Sequence, residues 1–501
     1  MRRFLITVPS MLASTMVAVD ITIANVALPH MQATLGASQD QIVWVLTSYL
    51  IAGAIATPLS GWLATRIGRK AIMVVSVAGF TIASVLCGAS TSLTMVVLSR
   101  ALQGACGAAL IPLSQAILLD INPPEKLAKA MAIFSIGSMA GPIIGPTLGG
   151  WLTDALTWRW VFYVNVPFGV LSMLGMMAFI PRRKVRRPAR FDLFGFVTVS
   201  VALGAFQLMI DRGEHLDWFD STEIRIYAVV LAVALYLGVV HLFTARDTFI
   251  RPALFKDRNF AIGSLVGMGM GITVFATLPL VVVMTQTLYG YSAFETGLVG
   301  MPRAIGTVAT MLLTTRMVGR IDVRLILIAG VLLTGISMLM YGGLDLYADQ
   351  HALIVTGFVQ GAGGGMIFVP LSLLVFTTLP AAHRDEGAAM NALLRSIGNA
   401  VGISVLQREL IHFDAAARAR LVEFVRSDNP IIEFSRPGLD LSAPEALARL
   451  SQEIARQAAM IGNVELYQLI ALLCLVMIPM IMLFRTVKRG PDPIAKLPVL
   501  E

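Results

Sequence analysis

The sequence predicts an all-α polytopic membrane protein. Its transmembrane helices follow a 6+2+6 plan, with both termini in the cytoplasm. Three observations carry that prediction: fourteen long apolar runs, a lopsided placement of Lys and Arg between them, and an internal repeat offset by 257–258 residues.

The apolar runs come first. The 501 residues are 56% hydrophobic and 14% charged, and the mean hydropathy is +0.78. A soluble domain carries about 25% charged residues, so most of this chain faces lipid or other buried helices. A helix of ~20 apolar residues crosses the ~30 Å hydrocarbon layer. Such runs fall near 4–28, 41–64, 71–89, 94–118, 128–152, 160–180, 192–210, 225–244, 260–285, 296–315, 323–343, 350–377, 387–411 and 464–485. The stretch after Met1-Arg2-Arg3 continues to Leu28. That exceeds a signal-peptide core and predicts an uncleaved first helix.

Orientation follows from the basic residues. One set of connections carries 25 of them, including Arg66, Arg69 and Lys70, the cluster from Arg182 to Arg190, and Arg485 to Lys496. The alternate short connections carry only Arg159, Arg212 and Arg225. Cytoplasmic loops are enriched in Lys and Arg, so this bias places both termini inside. It also accounts for the net charge of +8 without a nucleic-acid partner. One outer connection is long, at about 412–462. Within it Ser442-Ala443-Pro444-Glu445 has the form of a capping box. Leu447, Leu450, Ile454, Ala458 and Ile461 then recur at helical spacing, predicting a short amphipathic helix on the outer face.

The repeat divides the chain. Gln103-Gly104-Ala105-Cys106-Gly107 leads to Pro112-Leu113-Ser114, and Gln360-Gly361-Ala362-Gly363-Gly364 leads to Pro370-Leu371-Ser372. Arg66-Ile67-Gly68-Arg69 is echoed by Gly319-Arg320-Ile321-Asp322. Duplicated halves with a site between them near the midplane are a transporter architecture. The expected parts are a six-helix bundle over 1–180, a basic loop with two inserted helices over 181–258, and a second six-helix bundle with its long outer loop over 259–501.

Ionisable residues within the runs are functional candidates, because charge is costly at membrane depth. Asp20 lies inside the first run. Burial disfavours a charged carboxylate, so an acid here is a candidate proton carrier or a structural partner for a helix-borne arginine. Arg100 lies in the fourth run and shares a helix face with Gln103, Gly104 and Gly107. Gly137, Gly141, Gly145 and Gly149 recur every four residues, interrupted by Pro142 and Pro146. Such a stripe lets another helix approach closely, either as a hinge and seal between the halves or as static packing. Arg303, Asn391, Arg395, Asn25, Gln103 and Gln360 are candidate cavity residues. Arg303 and Arg395 could also snorkel to an interface, where Asp192 and Asp211 are expected.

Other classes lack their signals. No Walker-type phosphate loop is present. Gly361–Gly365 lies inside an apolar run, and no His/Cys set has zinc spacing. No cofactor, no metal and no catalytic residue is expected. Cys87, Cys106 and Cys474 all lie in apolar runs and suggest no disulfide framework.

Taken together, these segments resemble the major facilitator superfamily drug:proton antiporters of the fourteen-spanner branch, most like the EmrB-type multidrug exporters. The resemblance rests on Ala18–Pro29, Gly61–Lys70 with Arg66, Gly68 and Arg69, Leu98–Gly104, Gly141-Pro142 through Gly149-Gly150, Trp158–Pro167 and Asp211–Phe219. It implies proton coupling at Asp20 and Arg100 and an antiporter hinge at Gly141 and Pro142. It further implies proton-coupled export of amphipathic small molecules across the bacterial inner membrane, and a periplasmic adaptor with an outer-membrane channel. Thr65 stands where the loop motif usually has an acid, so the usual charge lock of that loop is not expected from that position. Other readings on the same fold are a narrow-substrate exporter of a siderophore or metabolite, or a transporter-like membrane sensor.

Overall fold

The computed structural model describes residues 2–42, 44–123, 126–181, 191–213, 216, 218–245, 248, 252–380, 383–425 and 444–485. A chain this apolar must close its backbone hydrogen bonds within each segment. Among the described residues the fold is accordingly helical, with one isolated bridge between Val318 and Ile321.

The first bundle contains α1 (Arg2–Leu35), α2 (Trp44–Ile67), α3 (Arg69–Gly88), α4 (Leu93–Gly107), α5 (Leu110–Ile121), α6 (Leu127–Ala155) and α7 (Asn165–Phe179). The inserted pair is α8 (Leu193–Gly213) and α9 (Thr222–Thr244). The second bundle starts with α10 (Arg258–Met270), a π-helical stretch at Gly271–Phe275, and α11 (Thr277–Thr287). It continues with α12 (Ala293–Met317), α13 (Val323–Tyr341), α14 (Gln350–Thr377), α15 (Arg384–Glu423) and α16 (Pro444–Met482). Among the described residues, 13 helical segments are long and apolar enough to cross a membrane. The 29-residue α6 stands in addition to these. The chain is a multi-pass membrane protein.

Two expectations change. The outer connection expected at 412–462 is helical at both ends: α15 runs on to Glu423, and α16 starts at Pro444. The stretch His412–Glu423 is rich in Ala and Arg, which are strong helix formers, so falling hydropathy marks no helix end there. The predicted short amphipathic helix is fused to the last span as one 39-residue helix. Ser442 of its capping box lies outside the described residues. A capping box does form elsewhere, where Ser292 and Glu295 open α12.

Lipid tails are as apolar as leucine, so helices here associate through close packing and hydroxyl–carbonyl bonds more than through loss of water contact. Ser114 donates to the Ser10 carbonyl at 2.9 Å and Ser172 to the Pro9 carbonyl at 2.8 Å. In the second bundle Thr310 donates to the Ala362 carbonyl at 2.9 Å. The bundles meet where α6 packs on α12 and α14, and where α15 packs on α2 and α5. One core cluster spans that contact, joining Leu118, Met131 and Phe134 to Phe260, Ile367 and Leu374.

The repeat is visible in the backbone. Gly68 turns α2 into α3 at φ 90°, and Gly319 turns α12 toward α13 at φ 94°. Only glycine adopts that conformation without a Cβ penalty, which explains a glycine in both loop motifs.

Candidate functional site

Asp20 sits on α1, fully buried, against Arg100 of α4, which is 1% exposed. The Arg100 Nη1 to Asp20 Oδ2 distance is 2.6 Å. The other carboxylate oxygen, Oδ1, accepts from Gln103 at 2.9 Å and from Asn165 of α7 at 2.7 Å. Gln103 also donates to Ser84 at 2.7 Å, and its carbonyl accepts from Arg100 at 2.8 Å. Arg100 further donates to the Val45 carbonyl at 3.2 Å, and its guanidinium lies 4.2 Å from the Tyr49 ring centroid. The helical spacing of Arg100 and Gln103 turns both toward α1, while glycine at 104 lets α4 press on the Tyr49 backbone of α2.

A buried ion pair is tolerated when its remaining donors and acceptors are satisfied, and this one is satisfied by four helices. Neutralising one partner would leave the other uncompensated, at a cost of about 3–5 kcal/mol. The arrangement can therefore link one proton to a rearrangement of α1 against α2, α4 and α7.

The glycine stripe bears on the same helix. Gly137 faces Met11 and Thr15, Gly141 lies on the Ala18 carbonyl, Gly145 on Thr22 and Gly149 on Ile23. Thr15 and Thr22 donate to the Gly137 and Gly141 carbonyls at 3.0 and 2.9 Å. The stripe thus packs α6 on α1 inside the first bundle. The expectation of a seal between the two halves is therefore corrected: the close neighbours of all four glycines lie on α1. Small residues go where backbones must touch, and that contact is with α1. The side chain of Pro142 lies outside the described residues.

The loop motif reaches across the bundles. Arg69 lies 2.5 Å from Asp120 of α5 and 2.6 Å from Asp385 of α15. Arg384 pairs with Asp120 at 2.9 Å. Gly61 packs on the backbone of Glu386. Arg66 is exposed and lies 5.1 Å from the Trp62 ring. A charge lock therefore forms without an acid at position 65, where Thr65 donates to the Trp62 carbonyl at 2.7 Å.

The second bundle holds a partial counterpart of the Asp20 site. Gln360, 257 residues after Gln103, donates to Thr277 at 3.0 Å. Thr277 stands 257 residues after Asp20, so the second bundle repeats the amide donor but replaces the acid with a hydroxyl. Arg303 donates to the Val274 carbonyl at 3.2 Å, and Arg395 lies 6.0 Å from the Phe275 ring. Asn391 is buried on α15, whereas Asn25 is exposed on α1.

The structure brings Asp20, Arg100 and Gln103 together, and separately Gly61 and Arg69. Sequence reasoning missed Asn165, Ser84, Asp120 and Asp385. Asp120 and Asp385 had a readable signal, as acids at the ends of apolar runs. Asp211, expected at an interface, accepts from Thr47 at 2.7 Å and Gln207 at 2.9 Å, tying α8 to α2.

Residues 10–403 match the family described as Major Facilitator Superfamily. The chain is 33% identical over 493 residues to the multidrug export protein EmrB of Escherichia coli K12, covering 95% of this chain and 94% of that one. It is 33% identical over 481 residues to the fatty acid resistance protein FarB of Neisseria gonorrhoeae, covering 94% of each. Two solved structures share the fold. The human organic anion transporter MFSD10 has a TM-score of 0.62 at 14% identity, over 96% of this chain and 99% of that one. The proton:xylose symporter XylE has a TM-score of 0.61 at 13% identity, over 95% and 94%.

Proposed function

The chain belongs to the major facilitator superfamily, and from that premise we propose that it is a proton-coupled multidrug efflux transporter. It exports amphipathic small molecules across the bacterial inner membrane by alternating access. The observation that carries the proposal is the fully buried Asp20–Arg100 pair, whose acid is tied by hydrogen bonds to α4 and α7. The name of the EmrB relative supports export as its direction.

Asp20 takes a proton from outside and releases it inside. When protonated it no longer neutralises Arg100. The guanidinium then draws on the Val45 carbonyl, the Gln103 carbonyl and cavity water, and α1 shifts against its neighbours. The glycine contact passes that shift to α6, which packs on the second bundle. Gly137, Gly141, Pro142, Gly145 and Gly149 act as the hinge. Proton and substrate each favour one of two states, so each biases the other's binding. One charge moving through 100 mV contributes about 2.3 kcal/mol.

The fourteen-span, 6+2+6 plan with both termini in the cytoplasm puts the Arg69–Asp120–Arg384 network on the cytoplasmic side. The network bridges the bundles there, so inward opening must break it. The long α15 and α16 extend the outer end, where a periplasmic adaptor leading to an outer-membrane channel docks.

The test is dye transport in inside-out vesicles of correctly inserted protein. The proposal expects a cationic dye such as ethidium to accumulate under an imposed pH gradient, with the accumulation lost when the gradient is collapsed. No uptake across several amphipathic dyes would contradict broad-specificity export.

A further inference from the structure

We propose that the second bundle carries an anion subsite, formed by Arg303 and Arg395 beside the π-helical stretch Gly271–Phe275, which takes the carboxylate of an acidic amphipathic substrate. The proposal rests on the export reading and names a substrate class for it.

The first bundle neutralises its buried cation with Asp20. The second does not. Among the described residues, neither Arg303 nor Arg395 forms an ion pair with a carboxylate, and both are half-buried. The Arg303 Nη2 donates only to the Val274 carbonyl at 3.2 Å, and the Arg395 guanidinium carbon lies 6.0 Å from the centre of the adjacent Phe275 ring. Unpaired arginines at membrane depth are costly and are retained where they line a substrate or ion path. The repeat explains the vacancy in charge. Thr277 stands where Asp20 stands in the first bundle, and Gly357 where Arg100 stands. A Cβ at Gly357 would be 3.8 Å from the Arg303 Cβ and 3.6 Å from the Tyr341 hydroxyl, so the space filled by Arg100 in one half borders Arg303 in the other.

Unpartnered amides surround the same segment. The Gln360 Oε1, on a residue 1% exposed, has no hydrogen-bond partner, nor has the Asn391 Oδ1, on a residue 9% exposed. The Asn399 Oδ1 is also unpartnered. Asn391, Arg395 and Asn399 recur every four residues, so they share one face of α15. π-Helical insertions concentrate at functional sites, and this one sits between the two arginines. A guanidinium offers a planar fork that matches a carboxylate with two parallel hydrogen bonds. Both arginines are borne on helices that pack on the first bundle, α12 on α6 and α15 on α2, where alternating access requires the substrate to lie.

The charge balance differs from that of a cationic drug. Exporting a monoanion for one incoming proton moves two positive-charge equivalents inward, whereas exporting a monocation moves none. The membrane potential therefore drives acidic cargo more strongly.

The test is equilibrium binding of radiolabelled dodecanoate to the purified full chain in an uncharged detergent, competed with dodecanol and dodecyltrimethylammonium. Dodecanoate should bind at least about tenfold more tightly than dodecanol, as expected for a charge-assisted pair. Arg303→Gln and Arg395→Gln should each remove most of that advantage while leaving dodecanol competition unchanged, and Arg395→Lys should restore part of it. Equal competition by dodecanol and dodecanoate in the native chain would overturn the proposal. So would glutamine variants that keep the full carboxylate preference, or that lose dodecanol along with dodecanoate. Flux in inside-out vesicles is read separately: binding without flux would remove the export reading and leave the subsite standing.

Discussion

Alanine at Gly141 would place a methyl group on the carbonyl of Ala18, a backbone contact that no rotamer change relieves. Overpacking of this kind costs about 1–3 kcal/mol, against a gain of about 0.5–1 kcal/mol from replacing glycine within a helix. Alanine at Gly150, on the same helix, would meet nothing within 4 Å and should keep only the gain. Gly145→Ala is intermediate. Its methyl would meet the Thr22 hydroxyl, which can turn away by giving up its 2.9 Å bond to the Gly141 carbonyl at a cost of about 0.6 kcal/mol, and the Thr22 Cβ at 2.9 Å, which needs a small backbone shift. The expected order of thermal stability is Gly150→Ala, native, Gly145→Ala, Gly141→Ala, measured by thermal unfolding of the purified proteins in one detergent. Transport under a pH gradient should fall most for Gly141→Ala, because its methyl pushes on the turn that precedes Asp20. The reasoning fails if Gly141→Ala unfolds at the native temperature, or if Gly150→Ala is as damaging as Gly141→Ala.

Two further outcomes follow from the contacts between elements. Arg69→Gln removes the group that joins Asp120 to Asp385. The side chains of Arg69 and Asp120 are only 12% and 8% exposed, so the loss is about 1–2 kcal/mol. Maleimide labelling of Ser372→Cys, which lies opposite Gln115 at 3.4 Å between the bundles, should then speed up by roughly tenfold; an unchanged rate would refute the lock. Ser292→Ala opens the capping box of α12 and should cost about 0.5–2 kcal/mol, seen as a lower unfolding temperature with the dodecanol binding unchanged.

The parts of the fold set by composition were legible in the sequence. Apolar runs gave the membrane helices because a membrane-spanning backbone must be helical. Arg100 and Gln103 were placed on one face by helical spacing alone. The 257-residue offset even anticipates the Gln360–Thr277 bond, although the sequence reading stopped at the glycine motifs. What was hidden depended on helices meeting from distant parts of the chain. Asn165 looks like an ordinary polar residue near a helix start until α7 is laid against α1. The partner of the glycine stripe was mistaken because spacing shows which face is small but not which helix it meets. The continuation of α15 to Glu423 was missed because an Ala- and Arg-rich helix carries little hydropathy signal, whereas the start of α16 was predicted, but as a helix separate from the last span. Thr65 suggested a missing lock, yet Asp120 and Asp385, two acids far apart in sequence, supply the carboxylates for Arg69.

The most direct test of the central claim, that Asp20 carries the coupled proton, compares native protein with Asp20→Asn in inside-out vesicles, using two assays on the same preparation. Gradient-driven accumulation of ethidium requires a protonation cycle; exchange of internal for external ethidium without a gradient requires only a folded transporter that changes state. The account predicts that Asp20→Asn loses accumulation and keeps exchange. Accumulation retained at the native level by Asp20→Asn would contradict it and assign the proton to another group.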